Sequence, residues 1–489
     1  MSKISLDELE KYLWGAAVLL RTHIDAGEYK QYIFPLLFFK RLCDVYDEEN
    51  QEILKKYGDK DALNFEENHK FVIPKGAHWN DVRNTPKDVG KAIVDAFRAI
   101  ERANSEKLSG IFGEGAWTNK NKFSDTLLKD LLEHFSELTL SLVNCPEDEL
   151  GQGYEYLIKK FADDSGHTAQ EFYTNRTVVH LMTEMLKPQP GESIYDPTCG
   201  SAGMLISSIA YLQEHGMEWR NVSLYGQEIN ALTSAIGRMN LFLHGIQDFH
   251  IVNDDTLARP AFLENGQLKQ FDVVLANPPY SIKQWNRDAF EKDPYGRNFL
   301  GTPPQGRADY AFFQHILKSL KPKIGRCAIL FPHGVLTRND ELLMRTKLIE
   351  EDYVECVIGI AKGLFYNSPM EACIIICRTE KPVERRNRIL FINAKQEVER
   401  KNAESNLLDA HIKRISESYT NYTEEVGFSR IVSLDSIRRN GYSLSVSRYV
   451  TALGNISDTD TTDFDELYQK WADSQKVLHE SLEEVIANL

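Results

Sequence analysis

The sequence has no long apolar stretch of the kind that crosses a membrane. No apolar run among its 489 residues approaches the ~20 residues that a transmembrane helix needs. The first twenty residues also lack the basic-then-apolar order of a secretory signal, because charges are spread among apolar residues at helical spacing. We therefore expect a protein that has no membrane partner and works in the cytoplasm.

Cysteine is scarce and follows no pairing pattern. A disulfide framework or a zinc site would place cysteines at short, recurring spacings. The seven cysteines are instead odd in number and widely scattered, at positions 43, 145, 199, 327, 356, 373 and 377. Several of them fall inside predicted strands. The sequence therefore predicts reduced thiols in the protein core, and it predicts no metal site.

Basic residues are outnumbered by acidic ones. The chain has 57 Lys and Arg against 72 Asp and Glu, which gives a formal net charge of −15. Contacts of Lys and Arg with phosphates supply most of the non-specific affinity for DNA. A chain this acidic is a poor DNA binder by itself unless its basic residues gather on one face. Either the charge only keeps the protein soluble, or the chain depends on a partner to bind nucleic acid.

The amino-terminal part of the chain has a helical pattern. The length allows about two to four domains, and residues 1–148 are predicted to form a separate helical one. Apolar residues recur there at three- and four-residue spacing, and no β-rich run interrupts them. The predicted helical segments are 7–24, 32–57, 89–104 and 124–143.

The pattern changes in the middle of the chain. Over residues 149–400, short β-rich runs alternate with helical stretches, which predicts a doubly wound, Rossmann-like α/β domain with a mostly parallel sheet. The last runs have little helix between them, which indicates an antiparallel edge or a hairpin at the end of the sheet. The predicted strands are 192–196, 221–228, 249–254, 271–277, 326–332, 353–360, 371–379 and 388–394.

The last part of the chain, residues 401–489, is predicted to be helical and free of strands. Its final helix follows an acidic linker, residues 455–465, and carries a narrow apolar stripe. This stripe could pack on the chain's own domains or face another subunit, and both alternatives stay open. The stripe consists of Phe464, Leu467, Trp471, Leu478, Leu482, Val485 and Leu489.

A loop of small residues follows the first predicted strand, in the segment SIYDPTCGSAGM from 193 to 204. Ligands of open α/β sheets bind at the carboxyl ends of the strands, and the N–H groups that open the next helix suit an anionic group. Asp196 at the strand end suits a cation such as an ammonium. The loop matches neither the dinucleotide nor the Walker pattern, so a purely structural turn is an alternative. The small residues are Gly200, Ser201, Ala202 and Gly203.

The next two strands also end in acids. Glu228 ends the second strand, where a carboxylate commonly binds the ribose hydroxyls of a nucleoside. An acid at the start of the following helix is an equally good interpretation. After the third strand, Asp254 or Asp255 could reach the amino group of an adenine. Three successive strands thus offer acids in the order that an adenosine bearing an amino acid would need.

The fourth strand ends in Asn277-Pro278-Pro279-Tyr280. The two prolines remove backbone donors, so the side-chain oxygen of Asn277 and the carbonyl of Pro278 remain as acceptors beside an exposed tyrosine ring. The lone pair of an exocyclic amine on an aromatic base is delocalised into the ring. Two acceptors that bind its hydrogens favour a tetrahedral nitrogen, which can attack without a general base. The ring of Tyr280 can stack on the base, an interaction of about 1–3 kcal/mol.

These motifs resemble the DNA methyltransferases that act on adenine N6. Asn-Pro-Pro-Tyr after a strand, preceded by Asp-Pro-x-Cys-Gly-Ser-Ala-Gly, is typical of that family. The segment HTAQEFYTNRTVVHLM (167–182) is similar to the family's cofactor-covering segment. The order of motifs is that of the methylation subunits of type I restriction-modification systems. The flanking segments 150–162, 306–336 and 363–368 are similar to that family as well.

The resemblance implies a class I methyltransferase fold, S-adenosylmethionine as methyl donor, and adenine in double-stranded DNA as acceptor. Asn277, Pro278, Pro279 and Tyr280 would hold the target adenine, and Asp255 would approach the adenine of the cofactor. Gln170 and Asn175 depart from the family, which usually has Gly and Pro there, so the path of this loop is open. The other implied cofactor residues are Glu171, Phe172, Tyr173, Thr174, Asn175, Arg176, Ser201, Ala202, Gly203 and Glu228, and Asp196 and Gly200 join them from the small-residue loop.

The resemblance also implies partners. Nothing in the chain is similar to paired target-recognition domains, so we expect a separate specificity subunit, two methylation subunits per specificity subunit, and a restriction subunit in the full complex. The target base would have to flip out of the duplex. Residues 281–310 are expected to form a mobile loop that closes on DNA, or else a loop without function. The alternatives are a self-sufficient methyltransferase, a scaffold without turnover, and methylation of cytosine N4.

Overall fold

The amino-terminal part of the chain is helical, as its periodicity predicts. The structure is a computed structural model that describes residues 3–21, 23–164, 173–364, 371–401 and 404–451. Within these ranges, the helices are α1 (Leu6–Leu20), α2 (Lys30–Tyr57), α3 (Trp79–Arg83), α4 (Val89–Ala103), α5 (Ser105–Leu108), α6 (Asp125–Ser136), α7 (Glu147–Asp164), α8 (Arg176–Leu186), α9 (Gly203–Glu214), α10 (Ala231–Leu243), α11 (Arg287–Glu291), α12 (Asp309–Lys318), α13 (Leu342–Glu350), α14 (Asp409–Asn421), α15 (Leu434–Arg439) and α16 (Val446–Tyr449).

Helix α6 is shorter than predicted: it ends at Ser136 and does not continue to residue 143. The reason lies in α2, whose acidic side chains bind the following backbone. The N–H of Leu140 donates to the carboxylate of Asp44 at 2.6 Å, and the N–H of Leu142 donates to Glu48 at 2.7 Å. These N–H groups are therefore satisfied outside a helix, which an apolar spacing cannot reveal.

The first six helices share one apolar core with α7 and α10. Aromatic rings fill its centre; the rings of Phe97 and Phe112, for example, stack with centroids 4.1 Å apart. Tyr154 of α7 and Met239 of α10 are buried in the same core. Because α7 and α10 also border the sheet domain, the amino-terminal helices are held directly against it.

The second part of the chain is built on a twisted β-sheet. In the described residues, nine strands form this sheet in the order β13-β10-β8-β9-β7-β6-β1-β2-β3, and two short hairpins, β4–β5 and β11–β12, lie outside it. The strands are β1 (Ser193–Asp196), β2 (Ser223–Glu228), β3 (Phe249–Asn253), β4 (Leu263–Glu264), β5 (Gln267–Leu268), β6 (Val273–Ala276), β7 (Arg326–Pro332), β8 (Val354–Ile360), β9 (Ala372–Arg378), β10 (Arg388–Ala394), β11 (Glu399–Lys401), β12 (Glu404–Asn406) and β13 (Ser429–Ser433).

Helices cover both faces of this sheet, which confirms the predicted doubly wound α/β fold. Neighbouring residues of one strand point to opposite faces. In β1, Ile194 packs into the core formed with α8, α9 and α14, whereas Tyr195 packs into the core formed with α12 and α13. The neighbouring strands β3, β2, β1, β6 and β7 are parallel, so their carboxyl ends meet at one edge.

The antiparallel part of the sheet differs from the prediction in position. Strand β9 is antiparallel as expected, but it lies between β7 and β8 inside the sheet. The expectation that strands stop after residue 400 is wrong, because β13 pairs antiparallel with β10 and forms an edge. The predicted final helix and its apolar stripe lie outside the described residues, and the predicted domain limits at 148 and 400 stay predictions.

Two predictions from composition can be compared with the described residues. All seven cysteines are buried and none forms a disulfide, which confirms the expected core thiols. Among the helices within the described ranges, none is both long and apolar enough to cross a membrane.

Candidate active site

A large cavity lies at the carboxyl ends of β1, β2 and β6, and its volume is about 1140 Å3. This is the position where open α/β sheets bind their ligands. Ala202 is fully buried and is not part of the cavity wall, and Glu171 and Phe172 lie outside the described residues. The sequence-predicted residues that line the cavity are Tyr173, Thr174, Asn175, Arg176, Asp196, Gly200, Ser201, Gly203, Glu228, Asp255, Asn277, Pro278, Pro279 and Tyr280.

The small-residue loop between β1 and α9 needs its glycines for a reason that the sequence did not reveal. Gly200 has a φ of 52°, which favours glycine, and its N–H donates to the carboxylate of Glu228 at 3.1 Å. A Cβ atom on Gly203 would lie only 1.7 Å from Nη1 of Arg176. The missing side chain at 203 therefore makes room for a guanidinium group of the protein.

Arg176 connects this loop to α7. Its guanidinium donates to Glu155 at 2.9 Å through Nη2, and the same nitrogen donates to the hydroxyl of Ser201 at 3.0 Å. Asn240 donates to Glu155 at 2.6 Å and to the backbone carbonyl of Ser201 at 2.8 Å. Burial alone would raise the pKa of Glu155, but the positive charge and hydrogen bonds of Arg176 bring it below its usual value. An ionised pair thus fixes the loop.

Three acids face the cavity from consecutive strands. Asp196 is only 2% exposed, and its carboxylate accepts the N–H of Thr198 at 3.0 Å. Burial raises the pKa of Asp196 to about 8, and the charge of Glu228 contributes to the increase. Glu228 accepts the N–H of Gly200 and, at 2.8 Å, the N–H of Asn230 before α10. Glu228 therefore orders the loop and the next helix while it lines the cavity.

The structure separates the two aspartates that follow β3. Asp254 forms an ion pair with the exposed Arg259 and does not line the cavity. Asp255 does line it, and its carboxylate accepts the N–H groups of Leu257 at 2.9 Å and Ala258 at 3.0 Å. Of the two candidates for contact with a cofactor, Asp255 is therefore the better placed one.

Asn277 to Tyr280 follow directly after β6, and the side chains of Asn277 and Tyr280 are hydrogen-bonded to each other. The hydroxyl of Tyr280 donates to Oδ1 of Asn277 at 2.7 Å, and Nδ2 of Asn277 donates to the hydroxyl of Thr174 at 3.0 Å. Tyr280 is half-buried, so the expectation of an exposed ring is wrong. Burial raises the pKa of Tyr280 well above its usual value, so its phenol remains a neutral donor.

The backbone after Tyr280 is held by residues that sequence reasoning missed. Ser281 has a φ of 51°, an uncommon value for a residue with a side chain. Its N–H donates to the fully buried carboxylate of Asp309 at 2.9 Å, and Arg338 donates to the same carboxylate at 2.7 Å. Asp309 lies in the segment 306–336, which is similar to the family, but nothing in the local pattern of this segment indicates its long-range contact with Ser281.

Comparison with known proteins assigns the family. A family model described as N-6 DNA methylase matches residues 146–457 of the chain. The chain belongs to this family. A second model, described as the HsdM N-terminal domain, matches residues 9–135, which cover most of the amino-terminal helices.

Known relatives of this N-6 DNA methylase are subunits of type I restriction enzymes. The chain is 30% identical to the MjaVIII methylase subunit of Methanocaldococcus jannaschii, over 99% of this chain and 86% of the relative. It is 32% identical to the HindI methylase subunit of Haemophilus influenzae, over 74% of this chain and 83% of the relative. The crystal structure of a type I methyltransferase subunit from Streptococcus thermophilus matches with a TM-score of 0.81 and 28% identity, over 91% of this chain and all of that one. The chain is thus a type I methylase subunit, in a group of adenine-specific DNA methyltransferases.

In this N-6 DNA methylase, the loop after the tetrapeptide contains regular structure and buried contacts. Residues 281–310 contain the short helix α11, and Arg297 and Asp293 form a buried ion pair there. Arg297 also donates to the carbonyl of Thr256 at 3.0 Å, which ties the loop to the segment after β3. Ile282 and Trp285 line the cavity. The closure of this loop on DNA stays a prediction.

Two further groups were not identified from the sequence. Lys30, at the start of α2, lines the cavity of this methylase, and burial lowers the pKa of its ammonium group. In the described part of the chain, one cluster offers metal-ligand atoms within 4.8 Å of one another, formed by His180, Glu184 and Glu214. None of these three residues lines the cavity.

Proposed function

We propose that this chain transfers the methyl group of S-adenosylmethionine to N6 of an adenine in double-stranded DNA, at sequences chosen by a separate specificity subunit. One observation carries the proposal. The acceptors at the end of β6, Asn277 and Pro278, line the same cavity as the three acids that end or follow β1, β2 and β3. A methyl donor held by the acids and an amine held by the acceptors would therefore meet in one enclosed space.

The cavity fits S-adenosylmethionine by the chemistry of its walls. Asp196 suits the ammonium group, Glu228 the ribose hydroxyls and Asp255 the amino group of the cofactor's adenine, since carboxylates accept hydrogen bonds from all three. The cofactor supplies a methyl group activated by a sulfonium. The Gly200 N–H binds Glu228, the missing side chain at Gly203 leaves room for Arg176, and the Arg176–Glu155 pair holds the loop in place.

The tetrapeptide suits the target amine. Oδ1 of Asn277 and the carbonyl of Pro278 would accept the two N6 hydrogens, so that the nitrogen lone pair becomes available for attack. No side chain has to remove a proton first, and positioning supplies most of the rate enhancement. Tyr280 would stack on the base. An adenine inside a duplex cannot enter this cavity, so it has to flip out, at a cost of a few kcal/mol.

The specificity subunit is proposed because this chain is poorly equipped to choose a DNA sequence. Its formal net charge is −15, whereas DNA affinity depends on basic groups. The relatives are themselves described as subunits of type I restriction enzymes. We propose two such chains per specificity subunit, a restriction subunit in the full complex, and action in the cytoplasm, in agreement with seven unpaired thiols.

The test is transfer of a tritiated methyl group to DNA by the chain alone and together with the specificity subunit encoded beside it. We expect transfer at a defined sequence only with the partner, and none when Asn277→Ala replaces the wild type in the complex. Transfer at a defined sequence by the chain alone would mean a self-sufficient enzyme. Binding of S-adenosylmethionine without transfer, even with the partner present, would mean a scaffold without turnover.

A further inference from the structure

The side chain of Thr174 binds Asn277, although the sequence assigns Thr174 to the cofactor loop. Its hydroxyl accepts a hydrogen bond from Nδ2 of Asn277 at 3.0 Å, across 103 positions of sequence. Thr174 lies just before α8, where a threonine commonly caps the helix. Here Asn175 performs that role, since its Oδ1 accepts the N–H of Thr177 at 3.0 Å. The Thr174 hydroxyl is therefore available to the residue after β6.

The orientation of the Asn277 amide decides whether the proposed chemistry works. One end of an amide accepts hydrogen bonds and the other donates them. The target amine has hydrogens to donate and needs its lone pair for the methyl group, so only the oxygen end can bind it productively. An amide turned by 180° would present N–H groups to the amine and offer no acceptor.

Two hydroxyl groups hold the Asn277 amide in place. Thr174 accepts from Nδ2, and Tyr280 donates to Oδ1 at 2.7 Å. The oxygen of the amide thus faces the tyrosine that would stack on the base. When an adenine enters, its amine replaces the Tyr280 hydroxyl at Oδ1, while the bond to Thr174 can stay intact. A hydroxyl can accept or donate, so the amine itself selects the oxygen end of the amide, and Thr174 is the contact that then accepts from Nδ2 and holds the side chain in place.

We propose that Thr174 is a positioning residue for methyl transfer, whose hydroxyl holds the side chain of Asn277 in place so that the amide oxygen can accept the target amine. This inference rests on the proposed function. It also joins the two halves of the site, because the carbonyl of Thr174 is 3.5 Å from Nη1 of Arg176, whose guanidinium binds Glu155 and Ser201. The loop that surrounds the cofactor side of the cavity therefore holds the residue that acts on the base.

The test compares Thr174→Val, which has the same shape without the hydroxyl, with Thr174→Ser, which keeps it. Thr183→Val is the matched control, since Thr183 also lies in this part of the chain and donates to the carbonyl of Val179 at 3.0 Å, but does not line the cavity. Each is assembled with the specificity subunit. Single-turnover methyl transfer, S-adenosylmethionine affinity, thermal unfolding and the fluorescence of 2-aminopurine at the target position are measured.

We expect Thr174→Val to slow single-turnover transfer by about tenfold or more, with the cofactor affinity and the 2-aminopurine signal of wild type. Thr174→Ser should recover most of the rate, and Thr183→Val should match wild type. An unchanged rate in Thr174→Val overturns the inference, as does a loss of cofactor affinity that accounts for the whole loss of rate. An inactive wild-type complex would instead overturn the proposed function, so the two failures are distinguishable.

Discussion

We expect the buried carboxyl group of Asp196 to make cofactor binding depend on pH. Burial, with a contribution from the charge of Glu228, raises the pKa of Asp196 to about 8 from an ordinary value of 3.8. At neutral pH the free protein therefore holds Asp196 mostly protonated. If Asp196 binds the ammonium group of S-adenosylmethionine, only the ionised form binds it well, and the ligand has to displace a proton.

The size of the effect follows from the pKa. With a pKa of about 8, about a tenth of Asp196 is ionised at pH 7 and about a hundredth at pH 6. Because the ligand's ammonium, with an ordinary pKa of ~8, is itself only half charged at pH 8, the apparent Kd should rise about tenfold for each pH unit well below 8, and about 25-fold between pH 8 and pH 6. Above pH 8 the α-amino group of the ligand, with an ordinary pKa of ~8, loses its own charge. The affinity should therefore peak near pH 8.

Isothermal titration calorimetry between pH 6 and pH 9 measures both the affinity and the protons released. Repeating the titration at pH 7 in buffers of different ionisation enthalpy should give a net release of about 0.8 proton per ligand, since Asp196 loses about 0.9 proton and the ligand amine takes up about 0.1. Asp196→Asn is the control, since its amide cannot ionise; it should bind more weakly at pH 8 and lose the decrease in affinity toward acid pH. A wild-type Kd that stays constant between pH 6 and pH 8 would refute this role of Asp196, as would the same acid decrease in Asp196→Asn.

Three shorter predictions concern the rest of the site. Asn277→Ala should abolish transfer but leave S-adenosylmethionine affinity within a few-fold, as measured by calorimetry; loss of cofactor binding would show that Asn277 has been placed wrongly. Gly203→Ala should weaken cofactor binding by about tenfold or more and lower the melting temperature, because its Cβ would lie 1.7 Å from Arg176. Gly27→Ala, which meets nothing within 4 Å, is its control, and equal behaviour of the two variants would contradict the steric argument. Limited proteolysis within 281–310 should slow when DNA and cofactor are added to the complex; an unchanged rate would count against closure of this loop.

The residues that the sequence placed well are those at strand ends. Asp196, Glu228 and Asn277 each follow a short β-rich run, and parallel strands bring such positions to one edge of the sheet. The local sequence pattern was sufficient to predict these positions, because the fold class determines that the ends of the parallel strands lie side by side. The cavity accordingly includes the last residues of β1 and β2 together with the segments after β3 and β6.

The residues that the sequence missed act through contacts between distant segments. Glu155 looks like any acid on a helix, yet it binds Arg176 and Asn240. Asp309 reaches Ser281 after the tetrapeptide, and Lys30 comes from a helix of the amino-terminal region. A periodicity predicts which face of a helix is buried, but it does not predict which polar group that face meets.

Strand β13 was also missed, because its place in the sheet depends on contact with a distant segment. Its five residues include charged Arg430, and it occupies an edge of the sheet where only one neighbour pairs with it. Its register, Ile392 opposite Ser429 and Ile389 opposite Val432, is determined by β10 and not by a local alternation of its own. Edge strands are short and partly polar in many proteins. The sequence of β13 therefore did not indicate a strand, and the whole region after residue 400 was predicted to be helical.

Asn175 stands where the family usually has proline, and the structure shows which contacts replace the proline ring. Proline, the usual residue of the family there, fixes φ but has no N–H and no polar side chain. Asn175 instead caps α8 through the N–H of Thr177, and its Nδ2 donates to the carbonyl of Ser405 at 2.9 Å and to Oδ1 of Asn406 at 3.2 Å. Gln170, the other departure, lies outside the described residues, but the end of the loop at Asn175 is held by hydrogen bonds to strand β12 in place of a rigid ring. Because Asn175 adjoins Thr174, the same contacts hold in place the residue that binds Asn277.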